Sequence, residues 1–309
     1  MQSAYIGKLM EIAQRDANVF HILADSGTGY DEMFRRNFPG QIYNFGISEE
    51  NMVAAAAGMA TVGKIPFVFT AGAFLAYRSL EFIRDDICFQ DLNVKIIGMG
   101  SGLSWSSLGP THHTTEDVAV LRAIPNLMIL SPATPLQAAM SVEAAYAHKG
   151  PVYIRIGMNH EKEFYDEKYQ MQVGKNDILR DGGDVTLFVT GSILEEADAA
   201  AEALLQEGIR VNVVNVHTVK PFDTENVLEM AKQSKMFFSI EEHNINGGLG
   251  SLIAETLTDH GIGMKLHRIG LQDVFAAGYG THKSVRTANG LDAESICNRV
   301  REAVTDECV

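Results

Sequence analysis

The chain has 309 residues, of which 46% are hydrophobic, so it can bury one large or two medium hydrophobic cores. Its formal net charge of −14 and its pI near 5.1 argue against a surface for nucleic acid or anionic membranes, which would need clustered Lys and Arg. No apolar run approaches the ~20 residues of a membrane span, and the first residues lack the basic and then apolar pattern of a signal peptide, so we expect a cytoplasmic protein.

The first half of the chain alternates strand-like apolar runs with stretches rich in Ala, Leu and Glu. This alternation is typical of a parallel sheet covered by helices, so the sequence predicts an α/β domain over residues 1–157. The predicted strands are Val19–Ala24, Ile42–Ile47, Pro66–Thr70, Val94–Met99, Leu127–Leu130 and Val152–Ile156.

Glu49 follows the second of these strands. Ser48 is a good N-cap, and the run from Asn51 to Thr61 is an Ala-rich helix that Gly63 closes. Glu49 is therefore predicted in the first turn of a helix at the carboxyl end of a strand, where open α/β sheets bind ligands. Taken alone, the position is also explained by the helix dipole, which such a carboxylate stabilises by only about 0.3–1 kcal/mol.

Two later segments of this domain carry further candidate residues. After the third strand, Phe74 and Tyr77 are three residues apart, which places them on one face of an α-helix. After the fourth strand, the Gly- and Ser-rich loop 98–109 leads to His112 and His113. Such a loop has little apolar content to bury, so histidines at its end are candidates for binding or catalysis.

The composition changes after Gly157 to a charged segment without helical periodicity, which predicts an interdomain linker over residues 158–183. The α/β pattern then restarts and predicts a second, smaller domain over residues 184–309, so the fold class is α/β with two doubly wound sheets that have helices on both faces. The predicted strands are Val185–Val189, Arg210–Val216, Met236–Ile240 and Lys265–Ile269, with helices Glu195–Glu207 and Ser251–Asp259.

The chain contains three cysteines, Cys88, Cys297 and Cys308, without CxxC spacing. An odd number without that spacing indicates neither a disulfide framework nor a zinc site. We therefore expect free thiols.

These segments, in this order, resemble the transketolase family of thiamine-diphosphate enzymes, and specifically the half with the pyrimidine-binding and C-terminal domains. The resemblance covers nearly the whole chain, and it rests on the order and spacing of motifs that are each weak alone. The markers are Gly46-Ile47-Ser48-Glu49, Phe74-Leu75 with Tyr77, Gly109-Pro110-Thr111-His112, Leu121-Arg122-Ala123-Ile124-Pro125-Asn126, and Glu241-Glu242-His243 with Gly247-Gly248-Leu249-Gly250.

The resemblance implies a role for each candidate residue. Glu49 would hydrogen-bond N1′ of the cofactor aminopyrimidine and help to form its imino tautomer, which takes the C2 proton of the thiazolium. Tyr77 would stack on the pyrimidine, with Phe74 lining the same pocket. His112 would orient substrate hydroxyls or stabilise charge that develops on the carbonyl oxygen, and His113 is a further candidate for substrate binding.

The same resemblance implies a partner. The family holds the cofactor diphosphate through Mg²⁺ bound by a Gly-Asp-Gly motif and a downstream Asn in an N-terminal domain, and this sequence contains no Gly-Asp-Gly. The chain therefore resembles one subunit of a split transketolase, active only with an N-terminal-half subunit that supplies the diphosphate and Mg²⁺ site. We expect two copies of each subunit in the assembly.

Three positions bear on the substrate. Family members that act on phosphorylated sugars usually place an Asp before Gly-Pro-Thr-His and a histidine early in the preceding loop, where this chain has Leu108 and Gly100. Arg155 aligns loosely with a family arginine that contacts the substrate phosphate, and a strand-end salt bridge is the alternative for it. We hypothesise an altered acceptor specificity, with an unusual sugar phosphate, a sulfo-sugar or another modified ketose as substrate.

Alternative functions remain open at this point. The same two-domain half occurs in 1-deoxyxylulose-5-phosphate synthase and in the β subunit of 2-oxoacid dehydrogenase first components, and decarboxylation of pyruvate with the partner would favour these. A further alternative is a noncatalytic assembly or regulatory subunit, because a fold can keep its binding surface after losing its chemistry.

Overall fold

In a computed structural model that describes residues 1–26 and 29–306, the chain forms two sheets flanked by helices. The strands are β1 (Val19–Leu23), β2 (Ile42–Asn44), β3 (Ile65–Ala71), β4 (Lys95–Met99), β5 (Met128–Leu130), β6 (Val152–Ile156), β7 (Asp177–Arg180), β8 (Val185–Thr190), β9 (Val211–Asn215), β10 (Thr218–Lys220), β11 (Met236–Asn244) and β12 (Lys265–Leu271). The α-helices are α1 (Gln2–Arg15), α2 (Gly29–Asn37), α3 (Glu49–Thr61), α4 (Leu80–Phe82), α5 (Asp117–Arg122), α6 (Pro135–Ala147), α7 (Leu194–Gln206), α8 (Thr224–Gln233), α9 (Leu249–Asp259), α10 (His282–Ala288) and α11 (Ala293–Asp306).

The first sheet has seven strands in the order β10-β5-β6-β4-β3-β1-β2, and all its pairs are parallel except β10 with β5. Successive residues of a strand pack into different cores: Phe67 and Phe69 lie in one with α1, and Val68 lies in another with α3. Because both faces are covered, the strands read as continuous apolar runs. The predicted α/β architecture of this half is confirmed.

The second sheet has five strands in the order β12-β11-β8-β9-β7, and it is also buried on both faces. Leu187 packs in a core with α7 and α11, while its neighbour Phe188 packs in a core with α8 and α9. Leu103, from the loop after β4, is fully buried in the first of these cores, so the loop that carries His112 rests on the second domain.

Two short strands differ from the sequence predictions. β7 lies inside the predicted linker, yet it pairs antiparallel with β9 at the edge of the second sheet. β10 follows β9 in the chain but pairs antiparallel with β5 of the first sheet. Strands of three or four residues at sheet edges carry too little apolar periodicity to be recognised. The domain boundaries themselves stay a prediction.

Local structure around α3 follows the predicted strand–turn–helix pattern with one difference. Ser48 occupies the N-cap position, but its hydroxyl donates to the carbonyl of Phe45 at 2.9 Å instead of accepting from the helix. Gly63 follows the helix end with φ of +82°, a left-handed conformation that glycine adopts without strain. Glu49 is thereby the first residue of α3.

Cys88 and Cys297 are buried free thiols, as expected, and Cys308 lies outside the described residues. In residues 1–26 and 29–306, no helix combines the length and the apolar character needed to cross a bilayer.

Candidate active site

Three connections at the carboxyl ends of parallel strands of the first sheet form the site. β2 is followed by Glu49, β3 by the helical segment with Phe74 and Tyr77, and β4 by the loop that leads to His112. β3 lies beside β4 in the sheet, with β1 between β3 and β2. Because parallel strands end at a common edge, the sheet brings these distant segments together.

Glu49 is buried, and its carboxylate is paired with an arginine that sequence reasoning did not single out. The Glu49 side chain is 2% exposed, and Nη1 of Arg78 donates to its Oε2 at 2.7 Å. Arg78 is itself 44% exposed, so the ion pair joins a buried carboxylate to a cation at the surface. A buried carboxylate is costly without such a partner, and Arg78 offsets that cost in the free subunit.

The helical segment after β3 winds as a π-helix from Phe74 to Arg78. The sequence predicts Phe74 and Tyr77 on one face of an α-helix, but the i→i+5 hydrogen bonds of a π-helix change the angle between residues three apart. Their side chains contact different groups. Phe74 packs edge-on against His112 with ring centroids 5.0 Å apart, and the guanidinium of Arg78 lies 5.2 Å from its centroid. π-helical turns are frequent at functional sites.

The Tyr77 hydroxyl is held by Glu116. It donates to Glu116 Oε2 at 2.8 Å and accepts from the Glu116 backbone N–H at 2.9 Å. Burial, together with the charges of Asp117 and Glu116, raises the pKa of Tyr77 well above its usual range. The residue is 36% exposed, so Tyr77 presents a fixed, neutral aromatic side chain to solvent.

His112 lies within a group of aromatic side chains. Its ring is edge-on to Phe74 and also to Trp105, whose centroid is 6.1 Å away. Its Nδ1 is 3.0 Å from the hydroxyl of Thr111, which orients the imidazole. The other nitrogen, Nε2, is then the one available to a substrate oxygen. Sequence reasoning missed Trp105, the single tryptophan of the chain.

His113 differs from His112 in its surroundings. It is 2% exposed, and within the described residues neither ring nitrogen has a hydrogen-bond partner. Burial lowers the pKa of His113, although the carboxylate of Glu242 acts in the opposite direction. An imidazole this buried offers little surface to a substrate in the free chain, so its substrate-binding role stays a prediction.

Lowering the pH will destabilise the fold partly through His113. Because burial lowers its folded-state pKa below the ordinary 6.5, the unfolded chain binds more protons between those two values. The contribution of neutral His113 to the free energy of unfolding is therefore fully present above pH 6.5. It is lost as the pH drops toward the folded-state pKa. We expect the Tm of the wild type to fall more steeply than that of His113→Gln between about pH 7 and pH 5.

Burial also lowers the pKa of His217. Because the wild type and the His113→Gln variant both retain His217, the difference between their slopes of Tm against pH reports on His113 alone. Equal slopes in differential scanning calorimetry would show that His113 does not titrate as described.

Arg155 lies inside the protein. Its side chain is 2% exposed, and Nε donates to both oxygens of Asp117 at 3.1 and 2.9 Å. Nη2 donates to the carbonyls of Thr114 at 2.9 Å and Glu242 at 3.0 Å. Burial alone would lower the pKa of Arg155, but the Asp117 carboxylate, together with Tyr153 and Glu242, raises that pKa above its ordinary value. This geometry supports the salt-bridge alternative over contact with a substrate phosphate.

A buried ionic cluster joins the loop after β4 to the second domain. Glu242 accepts from Nε of Arg286, lies 2.9 Å from Nε2 of His282, and accepts from the backbone N–H of Leu103 at 3.0 Å. Burial alone would raise the pKa of Glu242, but Arg286 and His282 hold it well below its usual range. The sequence contained Glu242 as a family marker, but it gave no sign of these partners.

The part of the chain that the structure describes holds no cluster of three or more His, Cys, Asp or Glu side chains placed to bind a metal ion.

Comparisons with known proteins show to which family the chain belongs. The family model described as "Transketolase, pyrimidine binding domain" matches residues 1–159, and "Transketolase, C-terminal domain" matches residues 174–296. The chain is 37% identical to an apulose-4-phosphate transketolase subunit of Actinobacillus succinogenes, over 94% of each protein. It is 35% identical to the 6-deoxy-6-sulfo-D-fructose transketolase subunit of Clostridium sp. (strain MSTE9), over 98% of this chain and 94% of the relative.

A solved structure extends the similarity to three dimensions. A split-gene transketolase, described as an inactive β4 tetramer, matches with a TM-score of 0.88 and 33% identity, over 98% of this chain and 97% of that one. The match covers both sheets and so includes the edge where Glu49, Phe74 and His112 lie. The chain thus belongs to the transketolase family of thiamine-diphosphate-dependent transferases, as a subunit with the pyrimidine-binding and C-terminal domains.

Proposed function

We propose that this chain, together with a partner subunit, transfers a two-carbon ketol unit from a ketose donor to an aldose acceptor. The observation that carries the proposal is the buried carboxylate of Glu49, at the sheet edge that also holds Phe74, Tyr77 and His112. The named substrates of the two relatives, apulose 4-phosphate and 6-deoxy-6-sulfo-D-fructose, support a phosphorylated or otherwise modified ketose as donor.

The residues present fit the aminopyrimidine end of thiamine diphosphate. Glu49 offers a carboxylate that burial shields from bulk water, which strengthens a hydrogen bond to a ring nitrogen. Tyr77, 36% exposed and fixed by Glu116, offers an aromatic face for stacking, and Phe74 lies in the same helical segment. When bound, the cofactor supplies the carbanion stabilisation that the protein side chains cannot provide.

The chain's own contribution is to hold protons and orient oxygens. We assign Glu49 the proton shared with the cofactor ring nitrogen, a task that its contact with Arg78 must accommodate. In the net reaction the C2–C3 bond of the donor breaks and its C3 hydroxyl loses a proton to become an aldehyde. The acceptor aldehyde gains a C–C bond, and its oxygen takes a proton. We assign His112 Nε2 the role of orienting and stabilising these oxygens.

The partner is part of the proposal. We infer an N-terminal-half subunit that holds the diphosphate and Mg²⁺, in an assembly with two copies of each chain. The absence of Gly-Asp-Gly from this sequence and the inactive β4 tetramer of the split-gene relative support this division. We also place the complex in the cytoplasm, where buried thiols such as Cys88 stay reduced.

Reconstitution tests the proposed function. We expect the purified chain to show no ketol transfer, and activity to appear on addition of the N-terminal-half subunit with thiamine diphosphate and Mg²⁺. The activity should saturate near equal amounts of the two chains, because each site needs one of each. The measurement is release of the shortened aldose from a ketose donor, with pyruvate as the competing donor.

Activity of the isolated chain would contradict the divided site. Decarboxylation of pyruvate by the complex, without cleavage of any ketose, would contradict ketol transfer.

A further inference from the structure

The loop between β4 and His112 contains an aromatic side chain whose position suggests a specificity role. We propose that Trp105 limits the length of the acceptor, so that the complex prefers a three-carbon aldehyde to a five-carbon aldose. The inference rests on the proposed ketol transfer and deepens it by naming the class of acceptor.

The indole of Trp105 fills the space above Gly100. Gly100 has φ of +78°, and a Cβ built on it would lie 2.2 Å from Nε1 of Trp105. Position 100 therefore needs glycine for two independent reasons, the left-handed backbone and the close approach of the indole. A side chain at position 100 and the indole at position 105 exclude each other.

The indole is held in place from its inner side. It is partly buried against the hydrophobic core that contains Tyr5 and Phe69, and Nε1 points to the carbonyl of Met99 at 3.4 Å. A side chain fixed by a packed core cannot swing away without losing those contacts. The indole therefore forms a fixed boundary of the space above Gly100.

The indole lies beside His112, the residue proposed to orient and stabilise the reacting oxygens. The two ring centroids are 6.1 Å apart, and the Phe74 ring also contacts the imidazole, with its centroid at 5.0 Å. Further along the loop, the Tyr279 ring lies over Gly109, where a Cβ would be 2.3 Å from its Cε1. Rings from both domains thus lie along the loop that leads to His112.

The steric consequence concerns the part of the acceptor beyond its reacting carbon. Each extra hydroxymethylene group must find room next to His112, where the indole already fills the space above Gly100. Forcing atoms into a packed site requires side chains to leave their preferred rotamers, which disfavours binding of the longer acceptor. A short aldehyde avoids this cost and a pentose does not.

The test compares two acceptors that carry the same phosphate and differ in chain length, glyceraldehyde 3-phosphate and ribose 5-phosphate. The readout is the ratio of their kcat/KM values in the reconstituted complex. We expect wild type to favour the three-carbon acceptor, and Trp105→Ala to shift the ratio toward ribose 5-phosphate by about tenfold or more, the scale on which pocket volume discriminates. Trp105→Phe, which keeps a smaller ring, should give an intermediate ratio.

Phe89→Ala is the matched control, because Phe89 is an aromatic residue 84% exposed and outside the site. Thermal unfolding of each variant shows whether it folds. If Trp105→Ala does not fold, the ratio for Trp105→Phe decides the question. A ratio that stays at the wild-type value in the folded Trp105 variants overturns the inference, as does a wild type that already prefers ribose 5-phosphate.

Release of the shortened aldose from the donor is measured in parallel. It distinguishes failure of this inference from failure of the proposed ketol transfer. If the wild-type complex cleaves no ketose donor, the proposed function fails and the inference falls with it. If the donor is cleaved and the acceptor ratio does not respond to Trp105, the inference alone fails.

Discussion

Glu49→Gln will reduce turnover of the reconstituted complex by about 10²–10⁴-fold, the range that a positioned acid–base group contributes. The amide is nearly isosteric with the carboxylate, but it cannot take up or release a proton at the cofactor ring nitrogen. The measurement is kcat for ketol transfer at saturating cofactor. Because the change keeps the shape of the site, it tests the proton-holding role and not the packing.

Glu50→Gln is the matched control for this substitution. Glu50 is the next residue in the first turn of α3, so it shares with Glu49 any favourable interaction with the helix dipole. We expect Glu50→Gln to leave kcat within about threefold of wild type, because a dipole contact contributes only about 0.3–1 kcal/mol. Normal turnover by the Glu49 variant would exclude the role proposed for it and would favour a noncatalytic subunit.

Arg155→Met will lower the free energy of unfolding by about 3–5 kcal/mol, the cost of removing one partner from a buried ion pair. The substitution leaves the Asp117 carboxylate, whose side chain is fully buried, without its cation. It also removes the donor to the carbonyls of Thr114 and Glu242, which join the loop after β4 to the second domain. Urea unfolding followed by circular dichroism measures the effect.

A surface pair provides the control for Arg155. Arg15 also pairs with a carboxylate, that of Glu143, but the two side chains are 52% and 43% exposed. Arg15→Met should therefore leave the free energy of unfolding close to that of the wild type. The double variant Arg155→Met with Asp117→Leu should recover part of the loss, because it removes the unpaired charge as well.

The two interpretations of Arg155 predict different kinetic results. If Arg155 contacted the substrate phosphate, its loss would raise KM for phosphorylated substrates while stability changed little. That result would contradict the structural role that its contacts support.

Strands in the middle of the sheets were predicted from the sequence, whereas two short edge strands were not. Each predicted strand overlaps an observed one, and the overlap is closest where both faces are covered, as in β6, whose bounds Val152–Ile156 match the prediction. A strand buried on both faces is mostly apolar, even where it carries a paired charge such as Arg155 in β6, and this leaves a signal in a contiguous stretch of sequence. β7 and β10 left no such signal, because each is short and lies at the edge of its sheet.

The sequence by itself determined the α/β class, the family, and the position of Glu49 at a strand-to-helix junction, since these depend on local composition and on the order of motifs. Only the tertiary structure paired Glu49 with Arg78, placed Trp105 over Gly100, and turned Arg155 inward onto Asp117. These contacts join residues of different connections, or residues whose mutual orientation depends on turn geometry. The packing of the sheet and its loops decides them, because no periodicity within one segment records which distant side chain will meet it.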